Sequence, residues 1–180
     1  MSEPALVAHS LAEAYLYLMV HPCPSCGKGP LYAGEAVSTR TEGTVAFVSI
    51  DAKCGACGSA QSGVFQIPRE RLQPGDAARI NETATPSRII DVGQWLVLSR
   101  MIGEAAGRSD DKMQVRRFGI QADQCIDEAL KFYADDEELP AASAFFAAAS
   151  RERFRDHPEQ FARRRLLEMK LKLPKPSRFA

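Results

Sequence analysis

The sequence predicts an α+β protein: a small antiparallel sheet organised by four cysteines, followed by an α-helical C-terminal half of about four helices. Three observations carry this prediction. Two Cys-x-x-Cys-Gly pairs, at 23–27 and 54–58, flank β-prone segments. Beyond residue 90 the apolar residues recur at helical spacing. Between the two regions lies a turn-rich stretch, Arg69 to Pro86, with Pro74-Gly75-Asp76 at its centre. The expected organisation is an N-terminal apolar segment with the cysteine module over residues 1–68, a connector over 69–86, a helical domain over 87–173 and a flexible tail over 174–180.

Composition narrows the function classes. A chain of 180 residues is one ordinary domain, or a small module joined to a larger one. At 45% hydrophobic and 26% charged it can bury a core, and wholesale disorder is not expected. Lys plus Arg is 23 and Asp plus Glu is 23, which removes the simplest argument for a nucleic-acid or membrane-surface protein. No apolar run reaches the roughly 20 residues needed to span a bilayer. The first ten residues carry Glu3 and no Lys or Arg, which argues against a secretory signal. The expectation is a soluble, cytoplasmic protein.

Taken in order, Leu6 to Val20 is apolar nearly all round, interrupted by His9 and Glu13. It reads either as a buried helix or as a helix passing into a strand at Tyr15 to Val20, and periodicity does not decide. Such a segment must be covered, by the helical half or by a second subunit. The first cysteine pair follows. Leu31 to Thr39 and Thr44 to Ala52 are β-prone and joined by the turn-like Arg40-Thr41-Glu42-Gly43. Ala46, Val48, Ile50 and Ala52 share one face of the second strand, with Val45 and Phe47 on the other. Val64 to Ile67 adds a third strand, ended by Pro68. This sheet is too poor in core to stand alone, and a structural metal, contributing on the order of 10 kcal/mol, makes up the deficit.

A two-residue gap lets both thiolates of a pair point at one metal, and the following glycine permits a tight turn. Cys23-Pro24-Ser25-Cys26-Gly27, a hairpin, then Cys54-Gly55-Ala56-Cys57-Gly58 resembles a zinc ribbon over about residues 20 to 68. The resemblance implies a structural four-thiolate zinc site with Cys23, Cys26, Cys54 and Cys57 as ligands. It implies no single activity, because zinc ribbons occur in transcription factors, polymerase subunits, ribosomal proteins, enzymes and adaptors. Competing readings are a rubredoxin-like iron site, a redox dithiol at Cys23 and Cys26, and structural disulfides. With all four positions filled by protein, no open coordination site remains for catalysis. His21 is read as a surface histidine before a turn; the alternatives are a supporting donor to the metal site or a ligand in place of one thiolate. Cys125 is read as a small buried hydrophobe.

In the second half, Asp91-Val92-Gly93-Gln94 forms a capping box that opens a helix to about Ala106, with Gly107 as the stop. Its core residues are Val92, Trp95, Leu96, Ser99, Ile102 and Ala106. Ser109-Asp110-Asp111 starts the next helix, lined by Val115, Phe118, Ala122, Cys125, Ile126 and Ala129. The short join makes the two an antiparallel hairpin. A third helix is expected over Ser143 to Phe154. A fourth is expected to be capped by Asp156, with Pro158 in its first turn. In that helix Ala162, Leu166, Met169 and Leu173 share one face, and Leu167 and Leu171 a second. Two apolar faces place it between two neighbours, one of which can be another chain.

The neutral total conceals an asymmetry. Residues 72–139 carry a net −5 and residues 140–180 a net +6. Arg151, Arg153, Arg155, Arg163, Arg164 and Arg165 supply most of the latter. They read either as contacts to nucleic acid or an acidic partner, or as helices that neutralise the acidic hairpin, and the second reading is preferred. No zinc-protease helix, serine elbow or phosphate loop is present. The sequence therefore predicts a non-enzymatic zinc protein acting through protein–protein contacts or self-association. The alternatives are a nucleic-acid-binding factor and a redox protein.

Overall fold

The structure, a computed structural model, describes residues 4–72 and 79–173. The Pro74-Gly75-Asp76 turn and the tail over 174–180 lie outside the described residues. The fold is α+β. The chain packs as two compact units, one running to Asn81 and including Ser87–Ile89, the other holding Glu82–Pro86 and the residues from Ile90 on.

The first unit contains β1 (Leu6–Val7), α1 (Leu11–Val20), β2 (Leu31–Glu42), β3 (Val45–Cys54) and β4 (Ala60–Pro68). The sheet order is β1-β4-β3-β2. β2, β3 and β4 form the expected antiparallel meander, but β1 pairs parallel with β4, Leu6 opposite Phe65. The sheet is therefore mixed rather than antiparallel throughout. A two-residue strand is too short to show any periodicity in sequence.

The β2–β3 turn is tighter than expected. Arg40 to Glu42 belong to β2, Glu42 pairs with Val45, and Gly43 takes φ +60, in the left-handed region that suits glycine. Arg79-Ile80-Asn81 forms no strand, although Ile80 is buried.

Alternation along β3 sorts the faces as predicted. Ala46, Val48, Ile50 and Ala52 are buried, and the register sets Ala46 opposite Ile67 and Val48 opposite Phe65, both fully buried. The apolar segment before the first cysteine pair is a helix through Val20, not a helix turning into a strand. Ser10 caps it, its hydroxyl accepting from the Glu13 N–H at 3.1 Å, while Glu13 Oε2 accepts from the His9 N–H. Glu13 Oε2 also lies 3.1 Å from His9 Nδ1. The helix finds cover on its own sheet: the Tyr17 ring meets Phe65 edge-on at 5.8 Å, and Leu18 reaches the backbone at Gly63.

The second unit holds α2 (Val92–Gly107), α3 (Lys112–Leu130), α4 (Ala148–Asp156) and α5 (Arg163–Lys172), with short 3-10 turns at Ala142–Ala144 and Pro158–Phe161. α2 and α3 are joined by four residues, and the Ser99 hydroxyl donates to the Ala122 carbonyl at 2.9 Å between them. The third predicted helix starts later than expected, because Ser143 lies in a 3-10 turn and Phe145 is drawn into a ring cluster. Phe145 stacks on Phe154 at 4.3 Å, and Phe161 meets it edge-on at 4.9 Å. The fourth helix is not capped by Asp156, whose carboxylate pairs with Arg155. Pro158 opens a 3-10 turn instead, and α5 begins at Arg163. Among the described residues, no helix is long and apolar enough to cross a membrane.

Asp91 joins the helices of this unit. It is fully buried and completes the predicted capping box with Gln94. Its Oδ1 accepts from the Gln94 N–H at 2.9 Å and from the Ser150 hydroxyl at 2.7 Å. Its Oδ2 accepts from the Ala147 N–H at 2.8 Å, at the start of α4. One carboxylate thus satisfies the N-termini of two helices. Gly93 allows the close approach, since a Cβ there would lie 2.5 Å from Ser150 Oγ. Asp91→Ala should therefore cost about 2 to 4 kcal/mol in urea unfolding, more than the loss of one exposed cap. A loss below about 1 kcal/mol would show that Asp91 does not join the helices.

Candidate metal centre

The hairpin register builds the site. Leu31 at the start of β2 lies opposite Cys54 at the end of β3, so the loop before β2 and the turn after β3 meet at one end of the sheet. Each carries one cysteine pair. In the first turn the Gly27 N–H donates to the Cys23 carbonyl at 2.8 Å, and in the second the Gly58 N–H donates to the Cys54 carbonyl at 2.9 Å. Gly27 and Gly58 take φ +68 and +73, the conformation for which the sequence carries glycine after each pair. The Gly55 N–H donates to the Pro30 carbonyl at 3.0 Å and ties the two turns together.

All four predicted ligands come together. The sulfurs of Cys23, Cys26, Cys54 and Cys57 lie within 4.8 Å of one another, the only such cluster of possible metal ligands among the described residues. Cys23 Sγ is 3.8 Å from Cys57 Sγ, and Cys26 Sγ is 3.8 Å from Cys54 Sγ. A tetrahedron with metal–sulfur bonds of about 2.3 Å has edges of about 3.8 Å. A disulfide would need about 2.05 Å, and all five cysteines are free. The donor set thus fits a tetrahedral metal ion, and four thiolates accept zinc or iron. Cys23 and Cys54 are buried, Cys26 is half-buried and Cys57 is exposed.

Ser59, two residues beyond the second pair, is a supporting residue that the sequence reading missed. Its hydroxyl lies 3.3 Å from Cys23 Sγ and 3.2 Å from Cys57 Sγ, and it accepts from Gln61 Nε2 at 3.3 Å. Without metal, the Ser59 hydroxyl is the main influence that lowers the Cys23 thiol to about 6 against burial, and it also lowers Cys57. Cys26 is held down by the Lys28 backbone, but burial and the neighbouring thiols raise it to about 12. The only sequence signal for Ser59 is its position just past the cysteine turn.

The other candidates fall elsewhere. The His21 ring stacks on Tyr17 at 4.6 Å, and the His21 backbone N–H donates to the Tyr17 carbonyl and closes α1; the residue is not in the sulfur cluster. Cys125 is fully buried, and burial together with Glu128 pushes its thiol up, as for an unreactive core cysteine.

The six arginines do not form one patch. Arg155 pairs with Asp156, Arg164 lies 3.4 Å from Glu138, and Arg163 donates to the Ala134 carbonyl at 3.2 Å. Arg151 donates to the Phe146 carbonyl. Lys170 of α5 meets Asp127 and, at 3.2 Å, Asp123 of α3. Much of the basic segment is thus answered within its own unit. Arg153 and Arg165 instead line a cavity.

Comparison with known proteins finds no matching family model, no matching curated protein and no matching solved structure.

Metal binding requires thiolates, so protons compete with the metal as pH falls. Removing the Ser59 hydroxyl raises Cys23 and Cys57 and lets protons win sooner. Ser59→Ala should move the midpoint of acid-driven metal release upward by about half a pH unit, read with a chromogenic chelator. An unchanged midpoint would show that Ser59 does not support the cluster.

Proposed function

We propose that this chain is a non-enzymatic zinc-ribbon protein of the cytoplasm, whose zinc is structural and which acts through protein–protein contacts. The observation that supports this reading most is the sulfur cluster: all four sulfurs lie within 4.8 Å of one another, and two of the edges, at 3.8 Å, match a four-thiolate tetrahedron. Four protein ligands leave no coordination position for water or substrate, so the ion's contribution is to the fold. Zinc suits the role because it is redox-inert. The ribbon reading rests on the two cysteine turns at one end of the β2–β3 hairpin.

The interaction role rests on α5. Leu167 and Leu171 lie four residues apart on one face and are 45% and 72% exposed. An apolar pair of this kind suits a second copy of the chain or another protein. The nucleic-acid reading is weaker, since most of the six arginines have partners within their own unit. A rubredoxin-like iron or dithiol redox role is the remaining alternative.

Two measurements test the proposal. The purified protein should be colourless and hold one zinc per chain, and chelation or Cys23→Ser should abolish cooperative unfolding of residues 4–72. A coloured iron–thiolate protein, or unfolding unaffected by chelation, would overturn the structural-zinc reading. In sedimentation, wild type should exceed the monomer mass at high concentration and Leu171→Glu should not. Identical behaviour of the two would remove α5 as the association face.

A further inference from the structure

The second unit contains a cavity of about 460 Å³. Helical spacing builds its walls. Leu96, Arg100 and Gly103 stand at i, i+4 and i+7 on α2, and Arg165, Met169 and Lys172 repeat that spacing on α5. Ile126 of α3 and Phe161, both fully buried, complete the apolar lining, and α4 adds Arg153.

Four cations, Arg100, Arg153, Arg165 and Lys172, therefore share this cavity with a single acid, Glu104. None of the four has an ion-pair partner among the described residues, whereas Arg155, Arg164 and Lys170 beside them do. Cations without ion-pair partners beside apolar walls suit an anion that brings its own apolar body. The guanidinium fork matches the two oxygens of a carboxylate. The volume falls within the range of small-molecule sites, roughly 300 to 1,000 Å³. With one acid against four cations the lining keeps a formal charge of +3, which favours an anion. A nucleic-acid backbone, charged along its length, has no use for the apolar floor.

We propose that this cavity binds a monocarboxylate with a single aliphatic or aromatic body, its head held by Arg153 and Arg165 and its body against Leu96, Met169 and Leu173. This role is separate from the metal centre and does not depend on it.

Calorimetric titration of the full, metal-loaded chain with decanoate tests the proposal. Decanoate should bind saturably, one per chain. Arg153→Gln and Arg165→Gln should each weaken it about tenfold. Decanol and decylammonium should bind at least tenfold more weakly, and so should inorganic phosphate, which lacks an apolar body. Gly103→Leu should weaken binding by narrowing the floor beside Leu173, with urea unfolding of the variant as the control for its fold. Absence of saturable decanoate binding would overturn the proposal. So would decanol or decylammonium binding as tightly as decanoate, or arginine variants that bind it as wild type does.

Discussion

Four sulfurs at one end of a short hairpin are the constraint on which the first unit depends. The sheet alone buries little: β3 contributes two alanines, a valine and an isoleucine to its inner face, and β4 a phenylalanine and an isoleucine. α1 covers that face, but a layer of this size is marginal without a cross-link. On the proposed reading, an ion held by the cysteine turns supplies one. They fix the hairpin register, since Leu31 must lie opposite Cys54 for the sulfurs to converge, and register decides which alternate residues face the core. On this account the metal and the apolar pattern specify the same pairing, and each keeps the other from slipping. The proposed structural role of the ion follows from that agreement.

The second unit is held differently. Its central device is one buried carboxylate, Asp91, which caps its own helix and the start of α4. The ring cluster of Phe145, Phe154 and Phe161 then fixes the chain between α4 and α5. α5 is anchored by Leu166, buried beneath it, and by Lys170 reaching the acids of α3. These contacts bring the basic end of the chain onto the acidic hairpin and leave a subset of its cations around a cavity. The charge asymmetry in the sequence is thus partly resolved by packing, and the unresolved part is local.

The features written in local pattern were legible in the sequence. The clustering of the four cysteines follows from spacing, the faces of β3 from alternation, and the start of α2 from Asp91 and Gln94. The start of α1 was equally available in Ser10-x-x-Glu13, a pattern that favours helix where apolar periodicity is silent. What was not legible depends on distant partners. The N-terminus of α4 takes its acceptor from a residue 56 positions earlier, so its sequence shows no cap. Asp156 has the residue type of a cap but spends its carboxylate on Arg155. β1 is two residues long and exists because β4 offers an edge. Ser59 supports the cluster only because the chain brings it back over Cys23.

A metal centre closed by four thiolates is the feature on which the proposed stability of the first unit rests. X-ray absorption at the metal edge of the purified protein addresses it most directly. The account predicts a zinc edge with four sulfur neighbours at about 2.3 Å and no lighter ligand. A nitrogen or oxygen ligand in the shell would contradict it, because it would open the site to water. So would an iron edge or no bound metal.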